Sequence, residues 1–153
     1  RISNPYFVNN ALAPLNATRT TDTAITTGTD TAVAFETIAY SSPVFSIDLA
    51  DATKIKLIFV GQGFQIVGRV AWEGNATGYR NVKIEAFTQD DVSLGTESLN
   101  SHQGFSGTDN IFPFSFTVPN NQFPTMSYFK FTVGHTRGAN LNLLFFNVSI
   151  FVI

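Results

Sequence analysis

The segment Leu141-Asn142-Leu143-Leu144-Phe145-Phe146-Asn147-Val148-Ser149-Ile150-Phe151-Val152-Ile153 carries no charge along its whole length. Read at the strand period of two, one side is Leu144, Phe146, Val148, Ile150 and Val152, continuously apolar and fit for a core. The other side is Leu143, Phe145, Asn147, Ser149, Phe151 and Ile153. A helix suits the segment less well, because Asn147 and Ser149 fall badly at helical spacing and the β-branched and aromatic content favours a strand. The mixed side still holds too many large apolar residues to face water on a stable monomer. A second subunit is therefore expected to cover it, with Phe145, Phe151 and Ile153 as the candidate interface residues.

Composition points the same way. A chain of 153 residues forms about one domain and is long enough to bury a sizeable core. Only 13% of its residues are charged, against roughly 25% in ordinary soluble proteins. Its surface is then largely Ser, Thr, Asn, Gln and Gly, as in assemblies and in extracellular or virion proteins whose subunits cover one another. The net charge is -2 and the basic residues are scattered, so no electrostatic footprint for nucleic acid or anionic lipid is present. With no cysteine, disulfides, thiolate metal sites and cysteine nucleophiles are all excluded, and the redox compartment stays open. No apolar run approaches the roughly 20 residues of a membrane span, and membrane insertion is not expected. The start at Arg1 has no initiator Met and no signal-peptide pattern, the expectation for a processed product or a part of something longer.

Residues 1–29 are rich in Asn, Thr, Ala and Pro without sustained period. An N-terminal arm or connector is expected over residues 1–20, with Tyr6, Phe7 and Val8 as its candidate anchoring residues, and a domain over 21–153. Short strands are expected at Ala32–Thr37, Pro43–Ile47 and Lys54–Val60. Phe64–Glu73 alternates cleanly, with Phe64, Ile66, Gly68, Val70 and Trp72 on one side and Gln65, Val67, Arg69, Ala71 and Glu73 on the other. After the turn Gly74–Gly78, Tyr79–Phe87 returns with Val82, Ile84 and Ala86 inward, and the two runs read as a hairpin. Ile111–Val118 and Ser127–Gly134 alternate likewise, Pro113 marking an edge or a bulge. Eight to ten short strands without an amphipathic helix make an all-β protein, an antiparallel sandwich or barrel.

Between Val92–Leu99 and Ile111 lies a polar stretch, Asn100–Asn110, that reads as a long loop. Long loops in compact domains are commonly functional, and His102, Gln103, Phe105 and Asp109 are its candidate ligand contacts. No catalytic constellation is found. His102 and His135 lack metal-site spacing and read as loop residues. Asp90-Asp91 reads as a solvated turn rather than a cation site. No pair of acids has glycosidase spacing, the serines lack a nucleophile elbow, and Gly61-Gln62-Gly63 is not a phosphate loop because strand follows it. No cofactor is expected. The triplets at Asn16, Asn75 and Asn147 match the glycosylation pattern, but a chain rich in Asn and Thr generates such triplets by chance. Trp72 falls on the inward side of its strand, where core packing explains it.

The unit from Gly63 through Trp72, the turn to Gly78, and Tyr79-Arg80 on to Ile84 resembles the complement globular-head and tumour-necrosis-factor superfamily, especially members found as modules in bacteriophage virion proteins. There a Gly-aromatic strand ending near a Trp leads through a short turn to a Gly-x-Arg strand. Thr31–Thr37 is similar to the family's early strand, and Gly138-Ala139-Asn140-Leu141 to the turn before its last core strand. The resemblance covers about residues 20 to 153. It implies a jelly-roll sandwich of about ten strands that assembles as a homotrimer, with the C-terminal strand in the inner sheet near the threefold axis, and a protein that binds rather than catalyses. The expectation is a non-enzymatic virion surface protein of a phage, at the capsid or the tail. Its partners would be itself, other capsid or tail subunits, and a host cell-surface glycan or protein. Two departures stand out: Ser98–Asn110 is longer than the family minimum, and Arg1–Thr20 has no collagen-like period. The alternatives are an extracellular adhesive module of the same fold and, with less support, a carbohydrate-active jelly-roll enzyme.

Overall fold

The computed structural model describes residues 14–107 and 109–153, with the side chain of Asp109 left aside. Twelve strands follow one another: β1 (Leu15–Arg19), β2 (Thr23–Ile25), β3 (Thr31–Ala32), β4 (Thr37–Tyr40), β5 (Phe45–Ile47), β6 (Ile55–Leu57), β7 (Phe64–Glu73), β8 (Tyr79–Phe87), β9 (Ser93–Gln103), β10 (Asp109–Val118), β11 (Tyr128–His135) and β12 (Leu141–Val152). They build two six-stranded antiparallel sheets. Sheet A runs β10-β7-β12-β1-β4 with β2 beside β12, and sheet B runs β5-β6-β11-β8-β9 with β3 beside β11. This is a jelly-roll β-sandwich. No helix occurs among the described residues.

Alternation along the long strands decides what fills the space between the sheets. Phe64, Ile66, Val70 and Trp72 of β7 are buried, as are Phe112, Phe114 and Val118 of β10. Sheet B answers with Val82, Ile84 and Ala86 of β8 and Phe129, Phe131 and Val133 of β11. Aromatic rings join the layers: Phe64 stacks on Phe129 with centroids 4.8 Å apart, and Phe131 meets Phe146 of β12 at 5.5 Å. Such contacts add to the area term that dominates the core. Gly68 makes room for this packing, because a Cβ there would lie 2.5 Å from the Phe114 ring and 2.6 Å from the Asn147 carbonyl.

Four expectations need correction. The runs Phe64–Glu73 and Tyr79–Phe87 are strands, but they do not form a hairpin: β7 pairs with β10 and β12, and β8 pairs with β9 and β11. Both present a continuous apolar side, and burying those sides against each other across the core places the strands in opposite sheets. The last strand carries a register shift between Leu143 and Phe145. Leu141 and Leu143 are therefore buried along with Phe146, Val148 and Ile150, while Leu144 is only half-buried. A bulge adds one residue and flips the parity on one side of itself. Third, β1 lies between β12 and β4, so residues 15–19 belong to the jelly roll rather than to an arm over 1–20. The candidate anchors Tyr6, Phe7 and Val8 lie outside the described residues. Finally, His135 is no loop residue: it ends β11, fully buried, with Nε2 2.6 Å from the Ile25 carbonyl and its ring edge-on to Trp72.

Candidate assembly face and recognition elements

The outward side of sheet A is ordered row by row by the pairing of β7 with its two neighbours. Ala71 lies between Phe145 and Ile111, Arg69 between Asn147 and Pro113, Val67 between Ser149 and Ser115, and Gln65 between Phe151 and Thr117. Ile111, Val67, Phe151 and Ile153 are exposed, Phe151 to 38% and Ile153 to 60%. Phe145 is half-buried. The candidate interface residues thus share one face, but not one spot: Phe145 and Phe151 are six residues apart on an extended strand, about 20 Å.

Between them runs a polar band whose members bond to one another. Asn147 donates from Nδ2 to Thr18 Oγ1 at 2.7 Å and to Asn16 Oδ1 at 3.2 Å. Asn16 in turn donates to Ser149 Oγ at 2.7 Å. On the other flank Gln65 donates to Ser115 Oγ at 3.0 Å and accepts from Thr117 Oγ1. Satisfied side chains of this kind can be covered by another surface at low desolvation cost. The third glycosylation-like triplet, at Asn147, falls in this band, where the amide is already engaged.

Charge is distributed unequally over the two outer sides. Sheet B carries Lys56 paired with Asp48 at 3.0 Å, Lys83 with Asp30 at 2.9 Å, and Lys130 with Asp51 at 3.9 Å. In the central rows of sheet A, Arg69 is the one charged side chain, and its guanidinium lies over the Phe145 ring. Val67, Arg69 and Ile111 were not singled out as interface residues from sequence. The alternation of β7 already placed Val67 and Arg69 outward, but only the strand order shows that they neighbour Phe145 and Phe151.

The expected recognition loop is shorter than it reads. Strand β9 continues to Gln103 and β10 begins at Asp109, so the connection is residues 104–108, passing from the edge of sheet B to the edge of sheet A. His102 and Gln103 are strand residues. His102 stacks on Phe112 with centroids 4.4 Å apart, and Phe105 meets the same ring edge-on at 6.0 Å. Buried Asn110 closes the connection, accepting from the Phe105 amide and donating to its carbonyl, both at 2.9 Å. Gln103 and Phe105 are exposed, while the side chain of Asp109 lies outside what is described. The polar composition that reads as a loop is that of an edge strand, half-solvated on one side.

No group of three His, Asp or Glu residues that could hold a metal ion occurs among the described residues. No helix there is long and apolar enough to cross a membrane.

No family model and no curated protein sequence matches the chain. Solved structures do. A chain of the infectious bursal disease virus particle superposes with a TM-score of 0.60 at 13% identity, over 91% of this chain and 31% of that one. The present chain thus spans about a third of the bursal disease virus chain. The PRD1 vertex protein P5 matches with a TM-score of 0.59 at 12% identity, covering 94% of this chain and 98% of that chain. Murine APRIL matches with a TM-score of 0.56 at 10% identity, over 92% and 98% of the respective chains. At these identities the likeness is one of fold: the chain has the jelly roll shared by these viral proteins and by a TNF-like protein.

Proposed function

We propose that this chain is a non-enzymatic subunit of a virion surface, a homotrimer closed through the outer side of sheet A, that displays sheet B for recognition of a host cell-surface ligand. The observation that carries the reading is the contrast between the two outer sides. Sheet A presents Phe145, Phe151, Ile153, Val67 and Ile111 around a self-satisfied polar band with Arg69 as its one central charge and a single ion pair, Glu73 with Arg137, at the end of β7, while three ion pairs lie on sheet B. Interface centres are depleted in charge and enriched in aromatic residues and arginine in this way. A closed threefold arrangement covers the same patch on every copy.

The likeness to a vertex protein over nearly the whole of both chains supports a place at the particle surface. Within this reading residues 1–13 join the jelly roll to capsid or tail subunits through Tyr6, Phe7 and Val8, and the exposed Gln103 and Phe105 at the rim of the sandwich, with neighbouring His102 and Asp109, add to recognition. Multi-angle light scattering of the purified chain at micromolar concentration tests the assembly. A mass three times that of the chain is expected, and a monomer would overturn it.

A further inference from the structure

Away from sheet A, the end of sheet B holds a concavity of about 440 Å3, a size common to small-ligand clefts. Asp48 follows β5, Lys54 and Lys56 belong to β6 and its approach, Gln89 and Asp91 come from the β8–β9 turn, and Tyr128 opens β11. Strand pairing sets the floor, since Tyr128 lies between Lys56 and Phe87. Its ring stacks on Phe87 with centroids 4.8 Å apart and only 8° between planes, and Lys54 Nζ stands 4.7 Å over it. The phenol donates to Asp91 Oδ1 at 2.7 Å. Burial, and then this bond, push the Tyr128 phenol far above its ordinary range, so it stays a donor. Asp91 has φ of 63°, the one positive value at a non-glycine residue among those described. That left-handed conformation costs free energy unless the surroundings hold it, and here Tyr128, Lys54 and the Thr88 carbonyl do so.

The chemistry of the lining selects the ligand. Two carboxylates face two ammonium groups, paired as Lys56 with Asp48 at 3.0 Å and Lys54 with Asp91 at 3.4 Å, so the concavity has no net charge. An anion bound here would lie against Asp48 and Asp91, and a cation against the lysines. An apolar ligand would strip water from both pairs at a cost it could not repay. Adjacent hydroxyls act differently, because each one donates to a carboxylate or the Gln89 carbonyl and accepts from an ammonium or the Gln89 amide. Val60 and Leu57 supply an apolar wall beside these groups.

We infer that this concavity binds a neutral pyranose of a cell-surface glycan, with Asp91, Gln89, Asp48 and Lys56 taking its hydroxyls and Val60 its apolar face. The inference rests on the surface-recognition part of the proposed function and names its ligand class. Sheet B faces away from the assembly face, so a trimer presents three open copies, and weak single-site binding is raised by multivalency.

Saturation-transfer NMR on the intact chain tests this with methyl glucoside, methyl galactoside, methyl mannoside and N-acetylglucosamine at millimolar concentration, and N-acetylneuraminic acid as the charged comparison. Transfer to at least one neutral sugar is expected. It should fall at least fivefold in Gln89→Ala and in Asp91→Asn, which keeps the left-handed turn and the bond to Tyr128, and persist in Lys83→Ala. No transfer to any neutral sugar, transfer to the acidic sugar alone, or transfer indifferent to both variants would overturn the inference. Light scattering on the same samples keeps the two readings apart. A trimer that ignores sugars overturns the pocket and leaves the assembly standing, and a monomer that binds them does the reverse.

Discussion

The guanidinium of Arg69 on β7 lies over the ring of Phe145 on β12, 5.6 Å from its centroid, on the side of sheet A that faces away from the core. A cation held against a ring face needs less water than a free one, and such a pair can be covered by another subunit. In the proposed trimer both ends of this face are covered. Phe151→Asp, at the far end, removes an aromatic from the proposed interface and puts a charge in its place, on the order of 2 kcal/mol in each copy. Sedimentation should show Phe151→Asp as monomers at concentrations where the unaltered chain is a trimer, and Phe145→Ala as a weakened trimer. Lys83→Asp, on sheet B, should leave the mass unchanged. Equal behaviour of Phe151→Asp and Lys83→Asp would place the interface elsewhere.

Gly68 is fixed by its neighbours rather than by its own backbone freedom. The Phe114 ring and the Asn147 carbonyl both occupy the space where a Cβ would stand, and the carbonyl belongs to a paired strand that cannot yield alone. Gly68→Ala should cost about 1–3 kcal/mol as overpacking, read as a lower urea midpoint with an unchanged slope. At Gly107 nothing lies within 4 Å of an added carbon, but φ is +140°, so the same substitution there is strained through the backbone instead.

Several parts of this fold are legible in the residues, and the reason others are not is physical. The alternation of Phe64–Glu73 and of Ile111–Val118 specifies which side chains turn inward, because period two is a local property of extended chain. Partnership is not local. Phe64–Glu73 and Tyr79–Phe87 have the spacing of a hairpin, and only the need to bury two apolar sides against each other separates them into different sheets. The parity of Leu143 and Leu144 depends on a bulge that neither residue announces. His135 reads as a polar turn residue because its partners, the Ile25 carbonyl and Trp72, are far away in the chain. The outward side of β12 was legible as an excess of apolar surface. The concavity around Tyr128 was not, since its lining comes from four separate segments.

Glu36 makes stability depend on acidity. Its carboxylate accepts from the Thr21 hydroxyl and from the amides of Thr20 and Thr21, which hold its pKa down at about 2 against an ordinary 4.5. A depressed folded-state pKa contributes stability that is fully present above the unfolded value and is lost as pH falls from about 4.5 towards 2. Asp48, bonded by the Ala50 amide and Lys56, and Asp51, bonded by Thr53, are lowered in the same direction. Acid unfolding should steepen below pH 4.5, and Glu36→Gln should flatten part of that slope by lowering stability above pH 4.5 while leaving it nearly unchanged near pH 2. Carboxyl-carbon NMR should find Glu36 titrating near pH 2. Titration near the ordinary value would show that the Thr20–Thr21 clasp does not form in solution.

Arg80 is 1% exposed, and no carboxylate lies within ion-pair distance of it among the described residues. Burial, followed by the charge of Arg137, lowers its pKa from the ordinary value, with Glu73 opposing. What holds the guanidinium is its fork: Nη1 donates to the Thr77 carbonyl at 2.7 Å and Nη2 to the Asn75 carbonyl at 2.7 Å, with Gly78 a third acceptor at 3.2 Å. These carbonyls belong to the turn by which the chain crosses from sheet A to sheet B, so the residue fastens the connection that distinguishes this topology from a hairpin. Gly104 seals the site, since a Cβ there would fall 2.4 Å from both Nη2 and the Asn75 carbonyl. A lysine carries the charge but cannot place donors at both ends of a planar fork. Arg80→Lys should therefore cost about 2–3 kcal/mol through carbonyls left without partners, and limited proteolysis should cut the turn at residues 74–78 sooner than in the unaltered chain. If Arg80→Lys keeps both the urea midpoint and the protease resistance, the charge rather than the fork secures the crossing.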